Sequence, residues 1–427
     1  MTGIPAVLIL LVCVIIFIYL CYQGFPPTVM APIMAMVVLL TAGMDVYDGM
    51  TGAYMTGATN FIKNYFLMFL TGAVFANLMA ASGAARSIGL ALAKLAKKFP
   101  GHETYAALWC CVLVGVVITY GGVMIFVAFF TIIAIVKEMY EELNVPWKMY
   151  TVGAFGTAAL AAGWLGTNAM SGPVLGLFAV VLSILFGHVY FTIQVRKIKA
   201  SGEGFLPTGK GISEVQFENP EPMNLLAALL PSIVLLVVLN VLDMGVTIAC
   251  FVGIVVALVD FGLVQKRFRL KEAIALMGTG TSQAINSGFV TAMVIGFGSC
   301  VAATAGYAWI IEKLFNLPGP AEYQIVIAVA IAAAMSGSPS GGLNIALENL
   351  GQHFLELGIN PGVIHRISVV ASGSLDSLPS CATLINEFNQ ARLTQKEAYF
   401  NMFWLNTVWP LVLCFILAFL SSTFGIC

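Results

Sequence analysis

Ser336-Gly337-Ser338-Pro339-Ser340-Gly341-Gly342-Leu343 interrupts one apolar run, and Thr119-Tyr120-Gly121-Gly122-Val123 interrupts another at a corresponding place, the two Gly-Gly pairs standing 220 residues apart. Glycine and proline at this density end a helix. The run from Tyr323 to Leu347 therefore reads as two half-length helices meeting at a tip. The other run, Tyr105 to Val136, holds no charged residue for 32 positions, too many for one crossing. Lys94, Lys97 and Lys98 precede it while Lys137 and Lys148 follow, so it enters and returns on one side. Both runs are expected to be re-entrant helical hairpins, of the kind that inverted-repeat membrane proteins place at their binding sites.

Composition sets the solvent for these hairpins. Hydrophobic residues make up 60% of the chain and charged residues 9%, with a mean hydropathy of +0.96. Such a chain belongs in lipid. With 19 basic against 20 acidic side chains, nucleic-acid binding has no electrostatic support. The nine cysteines lie in apolar segments or at the last residue and read as packing residues, not as disulfides or metal ligands. Ile4 to Tyr22 has no basic leader or small-residue cleavage signal and reads as a retained first span.

Charge-poor runs long enough to cross about 30 Å of hydrocarbon fall at 4–22, 28–44, 61–82, 149–170, 173–193, 223–242, 245–264, 281–305, 364–388 and 399–424. With the hairpins treated as re-entrant, an extracellular N-terminus leaves only Lys63, Lys313 and Arg366 of the 19 basic residues outside. Ten crossings then return the C-terminus to the same side. Five crossings per half invert the second half relative to the first. Ala80-Ala81-Ser82-Gly83-Ala84 echoes Ala302-Ala303-Thr304-Ala305-Gly306 at an offset of 222, close to that of the tips. The expected fold is thus an all-α polytopic membrane protein of two inverted repeats, each of five spans with a re-entrant hairpin and a broken helix. Residues 196–222, the one long polar stretch, form the cytoplasmic linker between them.

Backbone that leaves a helix in lipid exposes groups that only protein, water or ligand can satisfy. Each tip is accordingly a candidate site, where a helix N-terminus would face an anion. The candidate residues at the tips are Thr119, Tyr120, Gly121, Gly122, Ser336, Ser338, Ser340, Gly341, Gly342 and Asn344. A packing role for the glycines is the competing reading. Two later stretches, Gly163 to Pro173 and Ala371 to Ser380, should unwind mid-membrane and add Thr167, Asn168, Ser372, Ser377 and Ser380. Asp376 lies at the second break, where burial favours its protonated form, and is the candidate for proton coupling. The alternative is that it caps the following half-helix. Glu348 is read as reaching headgroup water, His365 and Arg366 as anchoring the outer interface, and Glu387 as approaching the cytoplasmic boundary. His102 and His188 stand alone, so no metal site is expected, and the absence of a phosphate loop removes an ATP-driven pump. A channel or a membrane-embedded enzyme would need a pore filter or a nucleophile with a base, and neither is visible.

Gly341-Gly342-Leu343-Asn344-Ile345-Ala346-Leu347-Glu348, Ala371-Ser372-Gly373-Ser374-Leu375-Asp376-Ser377-Leu378-Pro379 and Ser82-Gly83-Ala84-Ala85-Arg86-Ser87 together resemble the gluconate:proton symporter (gluconate permease) family of the ion transporter superfamily. The resemblance spans nearly the whole chain. It implies a multi-pass carrier of the plasma (inner) membrane, no enzyme, that takes up small organic anions with protons as a homodimeric elevator. Residues 1–82 and 223–305 would be its scaffold, and 104–193 and 321–424 its moving elements. No cofactor is implied beyond the co-transported proton. The partners are the organic anion and membrane lipid. The chain departs from the family where His-Asn-Gly usually follows Leu-Asp-Ser-Leu-Pro, since it has Ser380-Cys381-Ala382 there. That loss of bulky donors widens the expected substrate to sugar acids, hydroxy acids or short-chain monocarboxylates, and keeps sodium as the alternative coupling ion.

Overall fold

A computed structural model describes residues 3–120, 125–156, 172–206, 220–242, 244–314, 318–337 and 339–427. These residues form helices joined by short turns. In the first half the helices are α1 (Ile4–Tyr22), α2 (Pro27–Ala42), α3 (Val46–Ala81), α4 (Ala84–Ala96), α5 (Glu103–Tyr120), α6 (Ile125–Glu142) and α7 (Pro173–Ser201), with a 3-10 turn Trp147–Thr151 running into Val152–Phe155 between the last two. In the second half they are α8 (Leu225–Asn240), α9 (Val246–Val264), α10 (Leu270–Ala302), α11 (Ala305–Leu314), α12 (Ala321–Ser336), α13 (Pro339–Glu356), α14 (Pro361–Ser372), α15 (Ala382–Ala391) and α16 (Gln395–Phe424). Six of them, α1, α3, α7, α9, α10 and α16, are long and apolar enough to cross a membrane.

The long pair α3 and α10 pack on each other at the centre. Glycines bring their backbones together: a methyl group at Gly280 would lie 2.8 Å from the Cα of Val74, and one at Gly57 would overlap the Ser299 side chain. Around this seam the packing is reciprocal. α2 lies on α10 as α9 lies on α3, and α1 lies on α11 as α8 lies on α4. The turn α3–α4 matches the turn α10–α11, the two places where the sequence echo falls. Gly83 makes the first turn in a left-handed conformation (φ 84°), with the Glu221 carbonyl seated where a side chain would be.

Both long helices begin earlier than the charge-poor runs indicate. Residues 45–60, which separate the runs 28–44 and 61–82, continue helically into α3 after Asp45 caps its start by accepting the Asp48 N–H (2.8 Å). Lys63 consequently stands on the exposed side of a helix of 36 residues, about 54 Å long, and not in a loop. The linker also starts later than 196, because Arg196 to Ser201 complete α7. Of the predicted span 149–170, residues 157–170 lie outside the described residues.

The loops assigned to one side do gather on one face. Arg86 pairs with Glu138 (3.6 Å) and donates to the Pro220 carbonyl (3.1 Å), Lys97 pairs with Glu142, and Lys148 pairs with Glu203. Lys199 reaches the Gly101 carbonyl (2.8 Å) and Arg267 the carbonyls of Glu221 and Pro222.

Candidate functional site

The second hairpin is α12 and α13. α12 ends because Gly337 takes a left-handed conformation (φ 62°), its N–H donating back to the Ala333 carbonyl (3.0 Å), and Pro339 opens α13. The helices then fold back closely, since a side chain at Gly342 would collide with the backbone of Ala333. The packing role weighed for these glycines thus accounts for Gly342. α10 crosses beneath the tip, where the Ser336 carbonyl fills the space a side chain at Gly298 would need.

The broken helix comes to the same place. α14 stops at Ser372, a single 3-10 turn carries Leu375–Ser377, and α15 begins at Ala382. The N–H of Ala382 points at the Gly337 carbonyl (3.5 Å), joining break to tip through backbone. Asp376, 5% exposed, accepts from the Ser377 hydroxyl at Oδ1 (3.2 Å) and from the Cys381 thiol at Oδ2 (3.8 Å). The Ser377 carbonyl accepts two hydroxyls from α16, those of Tyr399 and Thr407, each at 3.0 Å. Gln395 donates to the Pro379 carbonyl (3.1 Å). The unwound backbone is thereby satisfied by protein groups, as its depth requires.

Of the residues proposed from sequence, Ser336, Ser372, Asp376, Ser377 and Ser380 are brought together, all buried, around the tip at Gly337 and the break. The hydroxyls of Ser336 and Ser372 bond to carbonyls of their own helices. Gly341 and Ser340 belong to the first turn of α13, and Asn344 lies on that helix's exposed side. Thr119 and Tyr120 end α5. Gly121, Gly122, Thr167, Asn168 and Ser338 lie outside the described residues.

Two expectations about charged residues change. Arg366, read as an interface anchor, is 1% exposed, packed in α14 where a side chain at Gly172 would touch its Cβ. Glu387, read as approaching the boundary, is fully buried in α15 beside buried Asn386. α15 is polar along most of its length (Thr383, Asn386, Glu387, Asn389, Gln390), a pattern that looks like a helix reaching water. Only Asn389 among these is exposed. That a short polar helix directly follows the break was the available signal.

Buried polar groups around paired helix breaks, held among helices of membrane length, define a polytopic membrane protein with an internal polar site. The chain is 26% identical over 478 residues to the uncharacterized transporter YxjC of Bacillus subtilis (strain 168), covering 97% of this chain and 99% of that protein. Among solved structures it is similar to the YdaH transporter of Alcanivorax borkumensis, described as having an unusual topology, at a TM-score of 0.40 and 14% identity over 87% of this chain and 88% of that one. No family model matches the chain.

Proposed function

We propose that this protein is a secondary active transporter that carries a small organic anion, a gluconate-like sugar acid, hydroxy acid or short-chain monocarboxylate, in symport with protons. The observation that carries the proposal is the junction of the α12–α13 tip with the break at Asp376, where a titratable side chain and helix ends meet inside the protein. The name of its Bacillus relative supports transport, and the motifs resembling gluconate:proton symporters support an organic anion. The reciprocal packing of α1 to α4 with α8 to α11 supports two inverted repeats. In this reading those helices are a static scaffold, and the hairpins, the broken helices, α7 and α16 move as the elevator of a homodimer.

An anion at the tip would meet the partial positive charge of the helix ends that open α13 and α15, without needing an arginine. Protonation of Asp376 would then balance the incoming charge. Proteoliposome uptake against a panel of labelled C3 to C6 carboxylates tests this, with an inward proton gradient imposed and then collapsed by a protonophore. Accumulation of one acid that vanishes with the gradient is expected. Accumulation that follows sodium instead overturns the coupling assignment, and accumulation of none overturns the substrate class.

A further inference from the structure

The tip and break leave unused a second carboxyl group, buried deeper than Asp376 and differently surrounded. Glu387 is 0% exposed, and among the described residues no group makes a well-formed hydrogen bond to either of its carboxyl oxygens. It stands about 7.5 Å along α15 from Ala382, the first residue after the break. The buried Tyr150 hydroxyl faces it from the 3-10 turn Trp147–Thr151 and is the polar group that interacts with it, at less than ideal hydrogen-bond geometry. The titratable groups that interact with it are Tyr150 and Cys111 of α5. α6 and α10 also pack on α15, and among the described residues neither brings it a salt-bridge partner. On its own helix, both amide atoms of Asn386 and of Gln390 are likewise without hydrogen-bond partners among the described residues.

Physical chemistry restricts what such a group is. An ionised carboxylate with no cation to pair it is far too costly to bury, whereas the neutral acid is an ordinary polar group. Asp376 makes the contrast, because two donors point at its oxygens as an anion prefers.

We propose that Glu387 is a proton-binding site, occupied by a proton in this conformation, and that its proton is exchanged in each transport cycle. The proton adds to a carboxyl oxygen from water on one side of the membrane and leaves to water on the other; no other bond changes. Tyr150, Asn386 and Gln390, with free donors and acceptors around it, are the groups that would pass the proton or order water beside it. The coupling half of this proposal rests on the carrier reading above; the protonated acid does not.

Infrared difference spectroscopy of the lipid-reconstituted protein, titrated with protons alone, reads the acid directly. In Glu387→Gln one carboxylic-acid carbonyl band present at neutral pH should disappear while the thermal midpoint is kept, since glutamine is a neutral group of the same size. Tyr150→Phe should shift that band without removing it. A spectrum unchanged in Glu387→Gln overturns the proposal, and so does a variant that fails to fold, because a neutral amide would then not replace a neutral acid. In proteoliposomes given a proton gradient and labelled gluconate, lactate or butyrate, Glu387→Gln should lose accumulation at least tenfold. Wild-type accumulation in that variant overturns the coupling role. A band assigned to Glu387 in a protein that accumulates none of the acids overturns the carrier reading and the coupling role together, and leaves the buried acid standing.

Discussion

The N–H of Ala382 lies 3.5 Å from the carbonyl oxygen of Gly337. One residue begins the second half of a broken helix and the other ends the first arm of a hairpin, so two separate interruptions share one point of contact. Both breaks expose helix ends, and the backbone of each helps to satisfy the other. A displacement of the tip must therefore disturb the break.

Gly298 tests that dependence. A methyl group there would overlap the Ser336 carbonyl, a backbone atom that cannot rotate away. Gly298→Ala should cost about 1–3 kcal/mol, as overpacking does, and lower gradient-driven uptake as well. Gly278, in the same helix α10 with nothing near its Cα, is the control. Alanine there should be neutral or stabilise by up to about 1 kcal/mol. Thermal unfolding in detergent compares the two, and equal effects would mean that the tip does not rest on α10.

The Ser377 carbonyl predicts a non-additive pair. Tyr399 and Thr407 both donate to it, so Tyr399→Phe or Thr407→Val alone leaves it one partner and should cost about 0.5–1.5 kcal/mol. Removing both leaves a buried carbonyl unsatisfied, and the double variant should lose more than the sum of the singles. A strictly additive result in thermal unfolding would show that water replaces the lost hydroxyls.

Much of the architecture is written in local chemistry. The tip at Gly337 is legible because glycine, serine and proline end helices wherever they cluster, and the break at Asp376 for the same reason. The start of α3 is not. Asp45 to Gly52 has the residues of a loop, yet the helix runs on, because Tyr54 is buried and Gly57 meets Ser299 across the seam. A tertiary contact there overrides local preference. Glu387 failed differently: its polar helix was visible, but its burial depends on Tyr150, far away in the chain. Arg366 is the same case, a charge whose neighbours are decided only by packing.

A pH dependence is expected at the face where the loops gather. Glu138 lies beyond the charge-free run, and burial raises its carboxyl above the ordinary glutamate value, outweighing the opposing pull of Lys137 and the closer pairing with Arg86 at 3.6 Å. An acid whose folded value is raised binds more protons folded than unfolded over that interval. Stability therefore falls as pH rises through it. Below the ordinary glutamate range, wild type and Glu138→Gln should melt together. As pH rises towards neutrality the variant should become the more stable of the two, the gap levelling off above the raised value. The opposite sign would show that the ion pair with Arg86 dominates.

Asp376 carries the remaining prediction. Asparagine has nearly the same shape and keeps an acceptor oxygen for Ser377, losing only the long contact from the Cys381 thiol, so Asp376→Asn should fold and reconstitute as wild type does. What it cannot do is exchange a proton. For each proton coupled to an anion, an imposed gradient of one pH unit is worth about 1.4 kcal/mol and supports about tenfold accumulation. Loss of the Asp376 proton should therefore lower the accumulation ratio about tenfold for each pH unit imposed. The residue that caps α15 is Cys381, with no side-chain cap, so the alternative left to Asp376 is a purely structural one, holding the Cys381 thiol, and it predicts a variant with a lower melting midpoint and an unchanged accumulation ratio. Measuring melting and accumulation on the same preparation separates the two, because each role moves one quantity and leaves the other in place.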